Sequence, residues 1–188
     1  MRSWSGYWND TPNDGAGIFP VAKNERMSNV LVIFQADTEA TEQMALAVGV
    51  GAVEAEASIR LRRLAAPGAA EVAHKGYGQL QERDLLWANT VVVGLESPIP
   101  RAEDLEDLFS LLSGVTPSQL SGRQAWTFGP HGPLPDRTEA QIVVESSLQN
   151  AGFVVLPATV LHFGASGDVI NQMKEAGRIT GGVEGANT

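Results

Sequence analysis

Residues 29–64 read NVLVIFQADTEATEQMALAVGVGAVEAEASIRLRRL, and three patterns within them decide the fold. NVLVIF (29–34) is an unbroken run of aliphatic, β-branched and aromatic side chains, which suits a strand covered on both faces. From Thr38 to Ala57 the apolar period lengthens. Met44, Ala45, Val48, Ala52 and Ala55 recur at helical spacing, with Thr38 or Asp37 available as N-cap. SIRLRRL (58–64) then alternates apolar and basic residues, as an edge strand with one wet face would. Strand, helix and strand in this order form a βαβ unit, whose right-handed crossover makes the two strands parallel.

The alternation continues to the end of the chain. After an Ala/Gly-rich loop (65–81), ERDLLWA (82–88) predicts a short helix and TVVVGLE (90–96) a second fully apolar strand. Leu105, Leu108, Phe109 and Leu112 share one helical face within 101–114, with Glu103 and Asp104 near the positive end of the helix dipole. RQAWTFG (123–129) predicts the fourth strand. Asp136-Arg137-Thr138-Glu139 has capping-box spacing, Ile142, Val143 and Leu148 follow, and Gly152 supplies a stop. FVVLPA (153–158) is the fifth strand, and Asp168 opens a last helix through Val169, Ile170, Met173 and Ala176. Five strands alternating with helices predict a doubly wound, three-layer α/β sandwich. Ligands of such sheets bind at the carboxyl ends of the strands, beside the point where strand order reverses. The loops at 35–40, 95–101 and 129–137 are therefore the ones to inspect.

Upstream of the first strand, residues 1–26 are rich in Gly, Asn, Asp and Pro and carry no period. They are expected to form an N-terminal extension to a single domain spanning 27–188. Trp4, Tyr7, Trp8 and Phe19 lie in that extension, and each would gain about 1.5–3 kcal/mol from full burial. The extension is therefore expected to pack on the domain or on a neighbouring subunit. The 22 acidic and 13 basic residues give a net charge of −9, which argues against nucleic acid and anionic membrane as partners. No stretch approaches the length of a spanning helix and the first residues lack a leader pattern, so a cytoplasmic location is expected. The absence of cysteine excludes disulfides, thiolate nucleophiles and Cys-type metal centres, and His74, His131 and His162 are too scattered to predict a metal site. Gly49-Val50-Gly51 falls late in a helix rather than after a strand, so its small residues predict close helix–sheet packing, not a dinucleotide loop. Gly94-Leu95-Glu96-Ser97-Pro98 misses the spacing of a nucleophile elbow.

The order of several short features resembles the flavodoxin-like NAD(P)H:quinone oxidoreductases, also called tryptophan-repressor-binding proteins. In 29–64 the features are the strand, the small-residue stretch Val50-Gly51-Ala52 and the basic Leu61-Arg62-Arg63. TVVVG, the pair His131-Gly132 after the fourth strand, and the Glu139 helix leading into NAGFVVL follow at matching intervals. The resemblance covers residues 29–180. It implies a five-stranded parallel sheet of order 2-1-3-4-5, FMN at the switch point, reduction of quinones by NAD(P)H, and a homodimer or homotetramer. It further implies that Thr38 and Thr41 hold the FMN phosphate, that Ser97 and Pro98 flank the ring, and that Gly132 and His131 approach its pyrimidine side, with His131 as the catalytic candidate.

At the loops themselves the chain departs from the family. Against the pattern S-x-T-G-N-T it reads Ala36-Asp37-Thr38-Glu39-Ala40-Thr41, which keeps two hydroxyls and brings in two carboxylates. A phosphate cradle works through converging N–H donors at a helix N-terminus, and carboxylates there oppose a dianion. Asp37 and Glu39 also read simply as first-turn acids favourable to the helix dipole. The second loop, Glu96-Ser97-Pro98-Ile99-Pro100-Arg101, keeps only Ser-Pro, and Pro133 replaces a glycine after His131-Gly132. Two readings follow: an FMN-dependent oxidoreductase, or a flavodoxin-like paralogue without FMN in a structural, regulatory or partner-binding role.

Overall fold

The computed structural model describes residues 27–35, 38–64, 76–132, 137–157 and 168–182. The expected extension 1–26, together with Ala36, Asp37, His74, Asp136 and His162, lies outside the described residues. Five parallel strands form one sheet in the order β2-β1-β3-β4-β5: β1 Asn29–Gln35, β2 Ser58–Leu64, β3 Thr90–Gly94, β4 Gln124–Phe128 and β5 Val154–Val155. Val30 aligns with Ile59 on one side and Thr90 on the other, so β1 is central, and the strand order reverses between β1 and β3. This is the predicted topology.

Alternate residues of the apolar strands feed two cores. On one face Leu31, Ile33, Val91 and Val93 meet α2 (Glu82–Trp87), α3 (Ala102–Gly114) and α5 (Glu139–Asn150). On the other, Val30, Val32, Phe34, Trp126 and Phe128 meet α1 (Glu39–Glu54) and α6 (Val169–Gly182). A one-turn helix, α4 (Pro117–Leu120), adds an element that the sequence reading omitted. Thr116 and Gln119 form its capping box, with Pro117 as first residue.

Several expectations need correction. The basic side of β2 is only partly wet: the half-buried Arg60 and Arg62 converge on the fully buried carboxylate of Asp84, at 3.0 and 2.7 Å, and the Arg60 guanidinium lies 4.1 Å from the Trp87 ring centre. The edge strand thus pairs its half-buried charges with a buried carboxylate of α2. The cap of α5 is Thr138, whose hydroxyl accepts from the Gln141 N–H, rather than Asp136; the reciprocal partner is Gln141. Strand β3 ends at Gly94, where the chain turns into the second loop, and β5 keeps only Val154–Val155, paired with Gln124 and Ala125 of β4.

The small residues of α1 serve helix–helix contact more than helix–sheet contact. A β-carbon at Gly51 would stand 1.8 Å from the Lys174 carbonyl oxygen, and one at Gly177 would stand 2.0 Å from that of Val48. Gly49 faces the sheet, 3.2 Å from Ile59 by the same measure. Asp168 caps α6 as predicted, its carboxylate accepting from the Asn171 N–H at 2.9 Å. No helix among the described residues is long and apolar enough to cross a membrane.

Candidate functional site

Parallel strands aim their carboxyl ends at one edge, and three loops converge there: the one after β1, the one after β3 and the one after β4. The first begins at Gln35, whose apolar neighbours leave its amide buried. A buried amide needs partners on both atoms. Gln35 Nε2 donates to Asp104 Oδ2 at 3.3 Å, and Gln35 Oε1 accepts from the Glu96 N–H at 2.8 Å. Arg101 Nε holds the same Asp104 oxygen at 2.7 Å. One side chain therefore ties β1 to the second loop and to α3 across the point where the strand order reverses.

Thr38 is the N-cap of α1 in extended conformation, is exposed, and makes no side-chain cap bond. Thr41, three residues on, is buried. Of the two residues implied as phosphate ligands, one is exposed and the other buried. Glu39 stands exposed as the first residue of α1 and accepts from Gln43 Nε2. Glu42, one turn in, accepts from the Tyr77 hydroxyl at 2.5 Å. Tyr77 packs its ring edge-on against Phe34, with centres 5.2 Å apart. Burial first, and then the bond to Glu42, push its phenol up to about 12.

The second loop folds on itself. Ser97 Oγ donates to the Ile99 carbonyl at 2.7 Å and accepts from the Ile99 N–H at 3.2 Å, a local turn that uses its hydrogen bonds internally. The Pro98 carbonyl accepts from the Ala140 N–H at 3.0 Å, docking the loop on the start of α5. Of the acids that cluster here, Glu103, Glu106 and Asp107 are a solvated helix face, whereas Asp104 turns inward to Gln35 and Arg101.

In the third loop Gly129 and Gly132 bond each other. The Gly129 N–H donates to the Gly132 carbonyl at 3.2 Å and the Gly132 N–H to the Gly129 carbonyl at 3.0 Å. Pro130 has no N–H to offer. Gly132 takes a φ of +85°, and a β-carbon there would lie 3.0 Å from Val169, so α6 covers it while His131 stays exposed at the turn. Beneath this turn a polar network fixes β4 to α5. Thr127 donates to Glu145 at 2.8 Å and accepts from Gln141 Nε2 at 3.2 Å, and Arg137 pairs with Glu145 at 2.7 Å.

Of the candidate residues, the structure brings Ser97, Pro98, His131 and Gly132 to the same edge as Thr38, while Thr41 is turned away from solvent. Reading the sequence alone missed Gln35, Asp104 and Tyr77. The available signal was Gln35 itself, a polar residue closing an otherwise apolar strand. No group of three or more carboxylates or imidazoles suited to a metal ion occurs among the described residues.

No protein-family model and no curated protein matches the chain. Solved structures do. A flavodoxin from the domain Archaea matches with a TM-score of 0.57 at 16% identity, over 81% of this chain and 96% of that one. A Streptococcus pneumonia TIGR4 flavodoxin matches at 0.55 and 14%, over 80% and 95% of the two chains. A flavodoxin, WrbA-like protein from Agrobacterium tumefaciens matches at 0.53 and 18%, over 82% and 93%. The fold is flavodoxin-like, and identities this low speak to fold alone.

Proposed function

We propose that this chain is a flavodoxin-like protein whose carboxyl edge does not hold FMN and works by contact with a partner. The observation that carries this reading is Glu39, an exposed carboxylate at the first position of α1, where the fold would set a phosphate. At about 5 Å a unit charge repels another by about 1 kcal/mol even in water-like surroundings. A dianion doubles that, which weakens binding more than tenfold. The remaining loops offer little in exchange, since Ser97 and the Gly129 and Gly132 amides are already bonded within their own turns. Around the edge stand exposed Ile99, Val169 and Ile170 beside the acids of α1 and α3, a surface suited to an apolar, basic protein segment.

A second reading keeps the FMN-dependent NAD(P)H:quinone oxidoreductase. It is favoured by Thr38, which leaves the first-turn N–H groups of α1 uncapped by its side chain. Bound FMN would supply the two-electron chemistry, with Thr38 and the α1 amides as its phosphate partners. Homodimeric or homotetrameric assembly and a cytoplasmic location belong with either reading.

Titration of FMN fluorescence separates them. The first reading expects no quenching up to concentrations on the order of 0.3 mM, whereas quenching at micromolar protein would discard it. The double variant Glu39→Gly with Ala40→Asn should raise FMN affinity, because it removes the carboxylate from the start of α1; an unchanged titration would show that the second and third loops, with their internal bonds, exclude the group as well.

A further inference from the structure

The solvent side of α1 carries Leu46, Val50 and Val53, which are 37%, 50% and 53% exposed. Spacings of four and three residues put them in one line along the helix. On one flank Lys174 of α6 pairs with Glu54 at 2.6 Å, and on the other Ile59 of β2 closes against Gly49. Neither flank covers the line. Single exposed apolar residues are ordinary, but three in register form a surface that asks for an occupant.

We infer that this line is the seat of the chain's own residues 1–26, with Trp4, Tyr7 and Trp8 covering Leu46, Val50 and Val53. Connectivity puts the line within the segment's reach. The Ser28 carbonyl accepts from the Ser58 N–H at 2.8 Å, so the chain enters β1 beside the turn that ends α1, where the Ala57 N–H bonds the Ala52 carbonyl. Val53 lies in the last turn of α1, and Leu46 is about 10 Å farther along the helix axis. A relaxed chain as long as residues 1–26 spans about 28 Å, so the whole line is within reach without stretching.

Composition supplies the cover. Two of the four tryptophans and one of the two tyrosines of the chain fall within residues 1–26. Such rings carry large apolar faces with polar handles, the chemistry that suits a half-wet helix surface. Charge selects this occupant over a second copy of α1. That helix bears Glu39, Glu42 and Glu54 and no basic residue, so pairing it with its like would set carboxylates against carboxylates. Residues 1–26 carry three basic and three acidic side chains, which impose no such repulsion. The inference does not depend on what the carboxyl edge binds.

The absence of cysteine makes the test direct. In the full chain, Ser5→Cys is combined with Val50→Cys, or with Val154→Cys on the far edge strand, which is equally exposed and lies at the same amino-terminal end of the sheet. Disulfide formation is then followed under mild oxidation. The seat predicts a monomeric cross-link to position 50 about tenfold or more faster than to position 154. Adding Trp4→Ala and Trp8→Ala should bring the faster rate down to the slower one. Equal rates for the two pairs overturn the inference, and so do covalent dimers whose yield rises with concentration. In the cysteine-free chain, Val50→Asp should increase acrylamide quenching of tryptophan emission, and unchanged quenching counts against the seat.

Discussion

Gln35 and Asp104 stand 69 residues apart in the chain, yet the amide of one donates to the carboxylate of the other at 3.3 Å across the reversal point of the sheet. In an open crevice of this fold that position is where loop and ligand meet. Here the protein supplies its own bridge, with the Glu96 N–H as third member. Gln35→Leu should therefore cost about 1–3 kcal/mol, since it strands a buried N–H and removes a donor from a buried carboxylate. The urea midpoint at constant slope reads this out. A variant as stable as the parent would show that the bridge is incidental.

The crossing of α1 and α6 rests on missing side chains. Gly177→Ala places a carbon 2.0 Å from the Val48 carbonyl oxygen and must push the helices apart, at about 1–3 kcal/mol. For a chain of this size that lowers Tm by roughly 2–4 °C per kcal/mol. Gly182→Ala on the same helix meets nothing within 4 Å and should leave Tm unchanged or slightly higher. Equal shifts for the two variants would refute the contact.

Burial acts to raise the Asp84 carboxyl, but hydrogen bonds and charge from Arg62, the Gln81 N–H and Arg60 outweigh it and hold the group below its ordinary value of 3.8. A carboxyl depressed in the folded state contributes stability that is complete above the unfolded value and is lost as pH falls through the folded one. The parent should thus lose stability below about pH 4. Asp84→Asn should be weaker by about 3 kcal/mol at pH 7, having left two arginines facing a neutral amide, and should lose less on acidification. Parallel curves for the two proteins would contradict the assignment.

Tyr77 makes the opposite statement at the alkaline end. Its phenol is raised to about 12, so the stability it contributes is complete below the unfolded value of 10 and is lost as pH climbs from there toward 12. With Tyr7→Phe leaving Tyr77 as the only tyrosine, tyrosinate absorbance should rise with a midpoint about two units higher in buffer than in concentrated urea. Glu42→Gln should narrow that gap, because it removes a negative charge beside the phenol.

The two-faced burial of β1 and β3 and the starts of α3 and α6 are legible in the sequence, because each is set by a local period or by first-turn residues, whereas the sheet order rests on the family resemblance and not on any local signal. Elements governed by distant partners were not. The wet face expected for β2 became an ion-paired one because Asp84, more than twenty residues away, comes to lie beneath Arg60 and Arg62. The sequence points Gly51 at the sheet because nothing near it in the chain shows that α6 crosses there. At the candidate site the carboxylate at Glu39 was visible at once, whereas the spent donors of Ser97, Gly129 and Gly132 depend on loop geometry that residue identity does not encode.

The interlock of Gly51 and Gly177 also sets when this protein can finish folding. Its two halves are made more than a hundred residues apart, so the emerging chain must hold an uncovered Val48–Ala52 surface until α6 leaves the ribosome. Closure of so long a loop is slow and comes late, and the unfinished product is the species most exposed to aggregation. Synthesis that stalls short of α6 should yield a chain with a nearly complete sheet and an unzipped flank.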